Sequence, residues 1–247
     1  MGYTVILPTL NEKGHIIELI KDIQNIFSEI NQDYEIIVVD DNSTDGTIES
    51  IEKITKDNSN IQLHVRRGLK KNLADSINLG LKKSNYENVI WMDADFQHPP
   101  DHIKSLHNNR DKSDVIIFSR FVKGSTRYFD ENVSKKEFNE NQSIFFNQIC
   151  KLILYKDLTD YTSGYICIKK KVFENYNLKG YYGDYFINLI VHCKLNNYTI
   201  IELPFVERER YSGKSKTNVY SFKYIVMCCN YFISLLRNYL KKISKKY

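Results

Sequence analysis

The sequence predicts an α/β fold in which a mostly parallel sheet is covered by helices on both faces. Three observations lead to this prediction. Short runs of apolar, β-branched residues recur along the first half of the chain, and segments with apolar residues at helical spacing separate them. The strand-like runs are apolar throughout, which is typical of parallel strands buried on both faces. With 247 residues, of which 42% are hydrophobic, the chain can also bury a substantial core.

The first half of the chain is expected to alternate strictly between strands and helices. Turn-forming residues, such as those from Asn42 to Gly46, separate the segments. The predicted strands are Thr4–Leu7, Glu35–Asp40, Ile61–Val65, Asn88–Asp93 and Asp114–Phe118. The predicted helices are Ile16–Ile30, Thr47–Lys56, Leu73–Lys83 and Asp101–Asn109.

Polar side chains follow each of these five strands. In an open α/β sheet, ligands bind in the crevice beyond the carboxyl ends of the strands. Any one of these clusters could be an ordinary polar loop, but together they predict a ligand site at one edge of the sheet. The clusters are Pro8–Glu12, Asp40–Asn42, Arg66–Gly68, Asp93–Asp95 and Ser119–Arg120.

The segment that follows the fourth strand carries the most specific indication of chemistry. Side chains two residues apart on a strand point the same way, so Asp93, Asp95 and Gln97 are expected on one side of the strand end. Their oxygen atoms are ligands that suit Mg²⁺ or Mn²⁺. For a DxD pattern taken alone, an acidic turn without a ligand is the alternative interpretation.

Two common nucleotide-binding motifs are absent from the sequence. No GxGxxG follows the first strand, and GxxxxGK[ST] does not occur. A bound nucleotide would therefore be held through carboxylates and a metal ion. The five cysteines form no CxxC pair, and we expect reduced, mostly buried thiols in a cytosolic setting.

The positive charge is concentrated near the C-terminus. From Arg208 to Tyr247 there are ten Lys or Arg residues and one acid, Glu209, although the net charge of the whole sequence is only +5. Such asymmetry suggests a segment that meets phosphate, anionic lipid or nucleic acid.

We expect residues 218–247 to form an amphipathic basic helix that follows a domain of residues 1–217. A broad, aromatic-rich apolar face beside a polar stripe fits a helix lying in a membrane interface, with Lys241, Lys242, Lys245 and Lys246 attracting anionic lipid. Docking on the domain itself or on a small membrane-protein partner is the alternative. No apolar run reaches the roughly 20 residues of a membrane span, and no signal peptide is expected. The polar stripe consists of Lys223, Asn230, Ser234, Arg237, Asn238, Lys241 and Lys245.

Six motifs together resemble one enzyme family. The chain is similar to family 2 glycosyltransferases with the GT-A fold, and more narrowly to dolichyl-phosphate mannose synthases and polyprenyl-phosphate sugar transferases. It departs from the family pattern at Asn72, where Gly is frequent, and near Lys135, Lys136 and Asn139, where an Arg is usual. The motifs are LPTLNE (Leu7–Glu12), VVDDNSTDGT (Val38–Thr47), MDADFQHPP (Met92–Pro100), FSR (Phe118–Arg120), DYTSGY (Asp160–Tyr165) and RYSGKSK (Arg210–Lys216).

The resemblance implies an inverting, metal-dependent hexosyltransferase. The enzyme would transfer mannose or glucose from GDP-mannose or UDP-glucose to dolichyl or polyprenyl phosphate. It would be a cytoplasmic protein bound peripherally to the cytosolic face of a membrane. The cofactor would be Mg²⁺ or Mn²⁺, and nucleic acid is not an expected partner.

The resemblance also implies roles for individual residues. The metal ligands would be Asp93, Asp95 and Gln97. The nucleotide sugar would contact Pro8, Thr9, Glu12, Asp40, Asp41, Asp93, Ala94 and Asp95. The diphosphate and the acceptor phosphate would contact Arg120, Arg210, Lys214 and Lys216. The catalytic residues would be Asp93, Asp95, Arg120 and Arg210. Arg66 or Arg67 could assist, and His98 is expected to be a turn residue.

The nature of the acceptor remains open between two chemistries. A phosphate monoester is largely anionic at neutral pH, because its second pKa is near 6, and needs no strong base. A glycan or protein hydroxyl would need a carboxylate base, for which Asp160 and Asp184 are candidates. A binder of nucleotide sugars without catalysis is a weaker alternative. A nucleic-acid-binding module fits the aromatic-rich helix poorly.

Overall fold

The computed structural model describes residues 2–125, 138–206, 208 and 222–245, with side chains described from residue 143 in the second range and from 225 in the last. A seven-stranded sheet has the order β3-β2-β1-β4-β6-β5-β7, and β6 runs antiparallel to both of its neighbours while the other pairs are parallel. The predicted α/β class is confirmed. The strands are β1 (Gly2–Thr9), β2 (Asp33–Asp40), β3 (Ile61–Val65), β4 (Asn88–Trp91), β5 (Val115–Ser119), β6 (Ile166–Lys169) and β7 (Ile200–Pro204).

Helices cover both faces of the sheet, as the sequence predicts. The pattern of β1 shows why its sequence is uniformly apolar: Ile6 belongs to the core on one face, and Val5 and Leu7 belong to the core on the other. The helices are α1 (Ile16–Glu29), α2 (Thr47–Thr55), α3 (Leu73–Lys83), α4 (His102–Asn109), α5 (Phe138–Ile153), α6 (Asp184–Leu195) and α7 (Phe222–Ser244), with a short 3₁₀ helix at Lys170–Phe173.

The predicted helix at the C-terminal end is present as α7, and it packs against the domain by a mixed face on which Leu235 is buried beside two polar residues. Ser234 and Asn238, two members of the predicted polar stripe, are 5% and 1% exposed and lie against α6. Ile225 and Leu236 are 58% and 59% exposed. The predicted boundary at residue 217 lies outside the described residues. Over the part of the chain that the structure describes, no helix is both long and apolar enough to cross a bilayer.

Two lysines of α7 bind the ends of neighbouring helices. Lys242 Nζ donates to the backbone carbonyls of Ile153, at 3.1 Å, and of Leu154, at the C-terminal end of α5. Lys245 Nζ donates to the carbonyl of Leu195, the last residue of α6. Positive side chains are favourable at these helix ends, where carbonyl groups lack helical partners. Two of the four lysines expected to attract lipid are therefore engaged with the protein.

Candidate active site

The loops after β1 and β2 are joined by hydrogen bonds into one wall at the carboxyl edge of the sheet. The backbone amide of Asn11 donates to Ser43 Oγ at 2.8 Å, and the amide of Thr44 donates to Asn11 Oδ1 at 2.9 Å. The amide of Glu12 donates to Thr47 Oγ1 at 2.9 Å. Asn11 has a φ of +56°, a left-handed conformation that asparagine tolerates better than most residues. These contacts hold the two loops together.

Asp40 lies at the base of this wall and has no exposed surface. Its Oδ2 accepts hydrogen bonds from Thr9 Oγ1 at 2.9 Å and from Ser43 Oγ at 2.6 Å, and its Oδ1 accepts from the Ser43 amide at 2.7 Å. In this conformation Asp40 and Thr9 hold the ends of β1 and β2 together. Direct contact of Asp40 with a nucleotide stays a prediction.

The two arginines after β3 have different surroundings, and Arg66 is the one that binds Asp41. The buried Arg66 forms an ion pair with Asp41 Oδ1 and also donates to Ser76 Oγ at 3.1 Å, whereas Arg67 is exposed. Asp41 Oδ2 accepts the amide of Asn72 at 2.9 Å. Arg66 therefore holds the segment between β3 and α3 against Asp41.

Asn72, where the sequence departs from the family pattern, begins α3. Its side-chain oxygen accepts the amide of Asp75 at 3.3 Å, which is the usual contact of an N-cap. Its Nδ2 donates to the carbonyl of Gly180 at 3.2 Å. The substitution keeps a regular helix start and adds a contact to a distant part of the chain.

The candidate metal loop does not extend β4, and the prediction of a strand there is wrong. β4 ends at Trp91, and Phe96 has a φ of +66°, which turns the chain out of an extended course. The amide of Gln97 donates to Asp95 Oδ1 at 3.0 Å and closes the turn. Asp95 is buried, whereas the side chain of Asp93 is 52% exposed. Asp93, Asp95 and Gln97 therefore lie in a loop and do not follow strand periodicity.

His98 anchors this loop, a role that the sequence did not predict. Its Nδ1 accepts the backbone amide of Asp93 at 2.9 Å, and its buried ring stacks on Tyr165 with the centroids 5.0 Å apart. With Nδ1 as an acceptor, the neutral ring carries its proton on Nε2, which lies 4.0 Å from Asp93 Oδ2. Because Tyr165 is distant in sequence, no local signal indicates this contact.

The donor set at this loop fits a divalent ion that a substrate helps to bind. Mg²⁺ is commonly held by one or two carboxylates, with water and substrate phosphates completing its shell. Asp93 and Asp95 supply two carboxylates, and Gln97 adds an amide. Within the described residues, no group of three or more His, Cys, Asp or Glu side chains could hold a metal ion by itself. The metal role of these residues stays a prediction.

The remaining residues predicted to contact the nucleotide sugar lie near these loops. Thr9 ends β1, and its carbonyl accepts the amide of Asp41 at 2.9 Å. Pro8 is partly exposed, and Glu12 and Ala94 are buried. All of them lie in β1, in the loop after it or in the loop after β4.

Arg120 forms a buried ion pair with Asp160. Arg120 Nε donates to Asp160 Oδ2 at 2.9 Å, and Nη2 donates to Oδ1 at 2.8 Å, a bidentate arrangement. Burial by itself would raise the pKa of Asp160, but the Arg120 guanidinium and backbone hydrogen bonds lower that pKa below its ordinary value. Arg120 is thus oriented by Asp160 and largely neutralised by it.

Asp184, the other carboxylate considered as a base, is also engaged. Its Oδ1 accepts the amides of Tyr181 at 2.9 Å and Tyr182 at 2.8 Å. Its Oδ2 accepts the hydroxyl of Ser234, in α7, at 3.1 Å. Neither Asp160 nor Asp184 presents an unengaged carboxylate to a hydroxyl acceptor.

Several predicted cations fall outside the described residues, but the chain that leads to them is anchored at the metal loop. The amide of Arg208 donates to the carbonyl of Gln97 at 3.2 Å, and its guanidinium pairs with Asp101 at 2.7 Å. The buried Phe205 packs its ring edge against His98, with the centroids 5.7 Å apart. The residues outside the described part are Arg210, Lys214, Lys216, Lys135, Lys136 and the side chain of Asn139.

Solved structures share this fold. Glucosyl-3-phosphoglycerate synthase from Mycobacterium tuberculosis, solved in complex with Mn²⁺, uridine diphosphate and phosphoglyceric acid, aligns with a TM-score of 0.69 at 15% identity and covers 96% of this chain and 78% of that one. The same enzyme in complex with UDP-glucose aligns with a TM-score of 0.67 at 16% identity, over 96% of this chain and 79% of that chain. The fold is accordingly GT-A.

Relatives of known name share more of the sequence. A dolichol-phosphate mannosyltransferase of Pyrococcus furiosus is 32% identical over 222 residues, which cover 87% of this chain and 59% of that protein. The chain thus spans less than two thirds of that relative. The dolichol-phosphate mannosyltransferase of Saccharomyces cerevisiae is 26% identical and covers 87% of this chain and 80% of its own length. A family model matches residues 4–176. Since that match covers most of the chain, the protein belongs to glycosyl transferase family 2.

Proposed function

We propose that the chain transfers a hexose from a nucleoside diphosphate sugar to dolichyl or polyprenyl phosphate, with Mg²⁺ or Mn²⁺ as cofactor. The observation that carries the proposal is the state of the two candidate bases. Asp160 is bound by Arg120, and Asp184 is bound by two amides and Ser234. Because neither of these two carboxylates is left unengaged as a base, the arrangement suits a nucleophile that is already anionic, and a phosphate monoester largely is at neutral pH.

The donor would bind at the wall formed by the loops after β1 and β2, with its diphosphate at the loop that contains Asp93 and Asp95. A divalent ion bound there would supply Lewis-acid stabilisation of the negative charge on the leaving diphosphate. Gln97 closes the turn around Asp95, and His98 fixes the backbone at Asp93, so the Asp95 carboxylate and the main chain that carries Asp93 are held in place before the donor binds. Such preorganisation is what electrostatic catalysis requires.

The acceptor phosphate requires positive charge beyond that of Arg120. Because Asp160 neutralises most of the charge of Arg120, we assign the larger share to Arg210, Lys214 and Lys216. These residues follow Arg208 in the sequence, and the amide of Arg208 donates to the carbonyl of Gln97. Arg120, held in a fixed orientation, would then position either the donor diphosphate or the acceptor phosphate.

For the sugar and the nucleobase of the donor, we propose GDP-mannose as the first candidate and UDP-glucose as the alternative. The relatives with the higher sequence identity are named mannosyltransferases, whereas the structure solved with UDP-glucose shares only 16% identity and supports the fold alone.

The outward apolar face of α7 supports binding to a membrane surface. Phe232, Leu236 and Leu240 of α7 are more than half exposed, and the exposed Leu152 of α5 lines the same groove as Phe232 and Leu236. Monomeric soluble proteins rarely expose a large contiguous apolar patch unless it binds something. We therefore place this face in the interface of the membrane that carries the acceptor. The five cysteines are free thiols, which is consistent with the cytosolic side.

One assay tests the proposed activity. The protein is incubated with GDP-mannose or UDP-glucose, a short polyprenyl phosphate and Mn²⁺, and the glycolipid is sought by mass spectrometry, with a sample in EDTA as control. We expect a glycosyl phosphate lipid only when the metal is present. Transfer to a polyprenol or glycan hydroxyl in preference to the phosphate would contradict the proposal.

The membrane contact makes a separate prediction. Replacing both Leu236 and Leu240 with Asp should reduce co-sedimentation with vesicles of mixed neutral and anionic lipid by at least about tenfold, because each buried leucine contributes roughly 1.5–3 kcal/mol and a buried carboxylate is costly. The charge-matched control, Lys151→Gln with Lys156→Gln at exposed positions on and after α5, also lowers the net charge by two and should retain more of the binding. Equal loss in both double variants would indicate attraction by charge alone.

A further inference from the structure

The inward face of α7 is fixed to the domain by specific polar contacts. Ser234 Oγ donates to Asp184 Oδ2 at 3.1 Å, and Asn238 Nδ2 donates to Asn188 Oδ1 at 2.7 Å. Both α7 side chains are nearly inaccessible. A buried hydrogen bond has stricter geometry than an apolar contact, and leaving its partner unpaired is costly. The position of α7 on α6 is therefore well defined.

The carboxylate of Asp184 joins α7 to the turn that precedes α6. Its other oxygen accepts the amides of Tyr181 and Tyr182, so a single side chain holds the turn and receives the hydroxyl of Ser234. At Gly183, an added Cβ would collide with the hydroxyl of Tyr231, which shows how closely α7 approaches the same turn. The turn from Gly180 to Asp184, here called the α6 turn, is thus in direct contact with α7.

The α6 turn and the first turn of α6 together contact both sides of the candidate active site. The carbonyl of Gly180 accepts Nδ2 of Asn72, whose amide donates to Asp41. On the other side, the hydroxyl of Tyr185 accepts Nε1 of Trp91 at 3.2 Å, and Trp91 ends β4 two residues before Asp93. The contacts that begin at Ser234 therefore reach the Asp41 wall and the base of the metal loop.

We infer that Ser234 is a positioning residue for sugar transfer, which acts through Asp184 and the α6 turn on the Asn72–Asp41 contact. The inference rests on the proposed function and adds that α7 is part of the catalytic unit as well as a membrane-binding element. The outer side of the helix is available to the lipid surface, and its inner side sets the geometry of the site. A helix that served only as an anchor would not require a contact with the α6 turn.

The test compares Ser234→Ala with Asn238→Ala. Each variant removes one buried hydrogen bond between α7 and α6, but only the first touches the α6 turn. We expect kcat/KM for transfer to fall about tenfold in Ser234→Ala, since a hydrogen bond to a charged group corresponds to roughly that factor. Asn238→Ala should lose similar thermal stability and keep kcat/KM within about twofold. Ser234→Thr, which keeps the hydroxyl, should restore transfer.

A second readout does not depend on activity. Hydrogen exchange of the amides of Tyr181, Tyr182 and Asn72 should accelerate in Ser234→Ala and remain slow in Asn238→Ala. Unchanged exchange at these amides would overturn the inference even if no transfer were observed for the parent protein. Equal losses of transfer in both alanine variants would also overturn it, because they would indicate a general effect of loosening α7. A parent protein that does not transfer sugar would contradict the proposed function instead.

Discussion

Replacing Asp95 with Asn is expected to lower kcat/KM for sugar transfer by about 10³-fold. The variant keeps an oxygen that can accept the amide of Gln97, so the turn can still form. It removes one of the two negative charges that would hold the divalent ion, and Lewis-acid stabilisation of a leaving phosphate is worth several kcal/mol. Each 1.36 kcal/mol of barrier corresponds to about tenfold in rate. The measurement is kcat/KM with polyprenyl phosphate at saturating Mn²⁺.

The matched control for this variant is Asp57→Asn. Asp57 is exposed in the connection between α2 and β3, away from the carboxyl edge of the sheet. The Asp57→Asn variant also replaces a carboxylate with an amide and should leave transfer unchanged. If Asp95→Asn transferred sugar at the rate of the control, the assignment of the metal to this loop would be wrong.

The second large effect is expected on stability, from Arg120→Gln. Asp160 has no exposed side-chain surface, and the variant leaves its charge buried without the cation. Breaking a buried ion pair from one side typically costs about 3–5 kcal/mol of the free energy of unfolding. Urea unfolding at pH 7 measures this loss. The double variant Arg120→Gln, Asp160→Asn should recover part of it, because no uncompensated charge remains.

The pH dependence of stability provides a second test of the Arg120–Asp160 ion pair. In the parent protein the pKa of Asp160 is lower than its ordinary value of 3.8, so the pair contributes stability above that pH and loses it as the pH falls through the lower value. In Arg120→Gln the pKa-lowering effect of the guanidinium on Asp160 is lost, whereas burial, which raises the pKa, and the backbone hydrogen bonds, which lower it, remain. The variant should therefore lose less stability than the parent protein as the pH falls below about 5. A variant with the pH dependence of the parent would contradict the role assigned to the pair.

The first half of the fold could be predicted because its signals are local. Runs such as Glu35–Asp40 are uniformly apolar, and helices such as α1 have a regular apolar period, so all the predicted strands and helices up to Phe118 form with small shifts in their ends. The antiparallel β6 was not predicted. Its insertion between β4 and β5 depends on contacts between distant segments, and a run of four residues carries little periodicity.

The parts of the site that escaped prediction depend on long-range contacts or on local backbone geometry. Strand periodicity does not apply to Asp93 and Asp95 because β4 ends at Trp91, and it fails between Asp95 and Gln97 because Phe96 adopts a left-handed conformation. Arg120 and Asp160 are 40 residues apart, so no local pattern indicates their pairing.

The side of the C-terminal helix that faces the protein also could not be predicted from the local sequence. Helical periodicity groups polar residues into a stripe but cannot tell which of them face water. Within the stripe, Ser234 and Asn238 face the protein, where α6 offers them partners, whereas Arg237 and Lys241 are exposed. Leu235 is buried, whereas Leu236 faces outward.

The most direct measurement of the central claim is the anomalous diffraction of Mn²⁺ in crystals grown with a nucleoside diphosphate. We expect one strong peak within coordination distance of carboxylate oxygens of Asp93 and Asp95 and of the diphosphate. A nucleotide bound elsewhere, or a manganese peak with both aspartates turned away from it, would contradict the account.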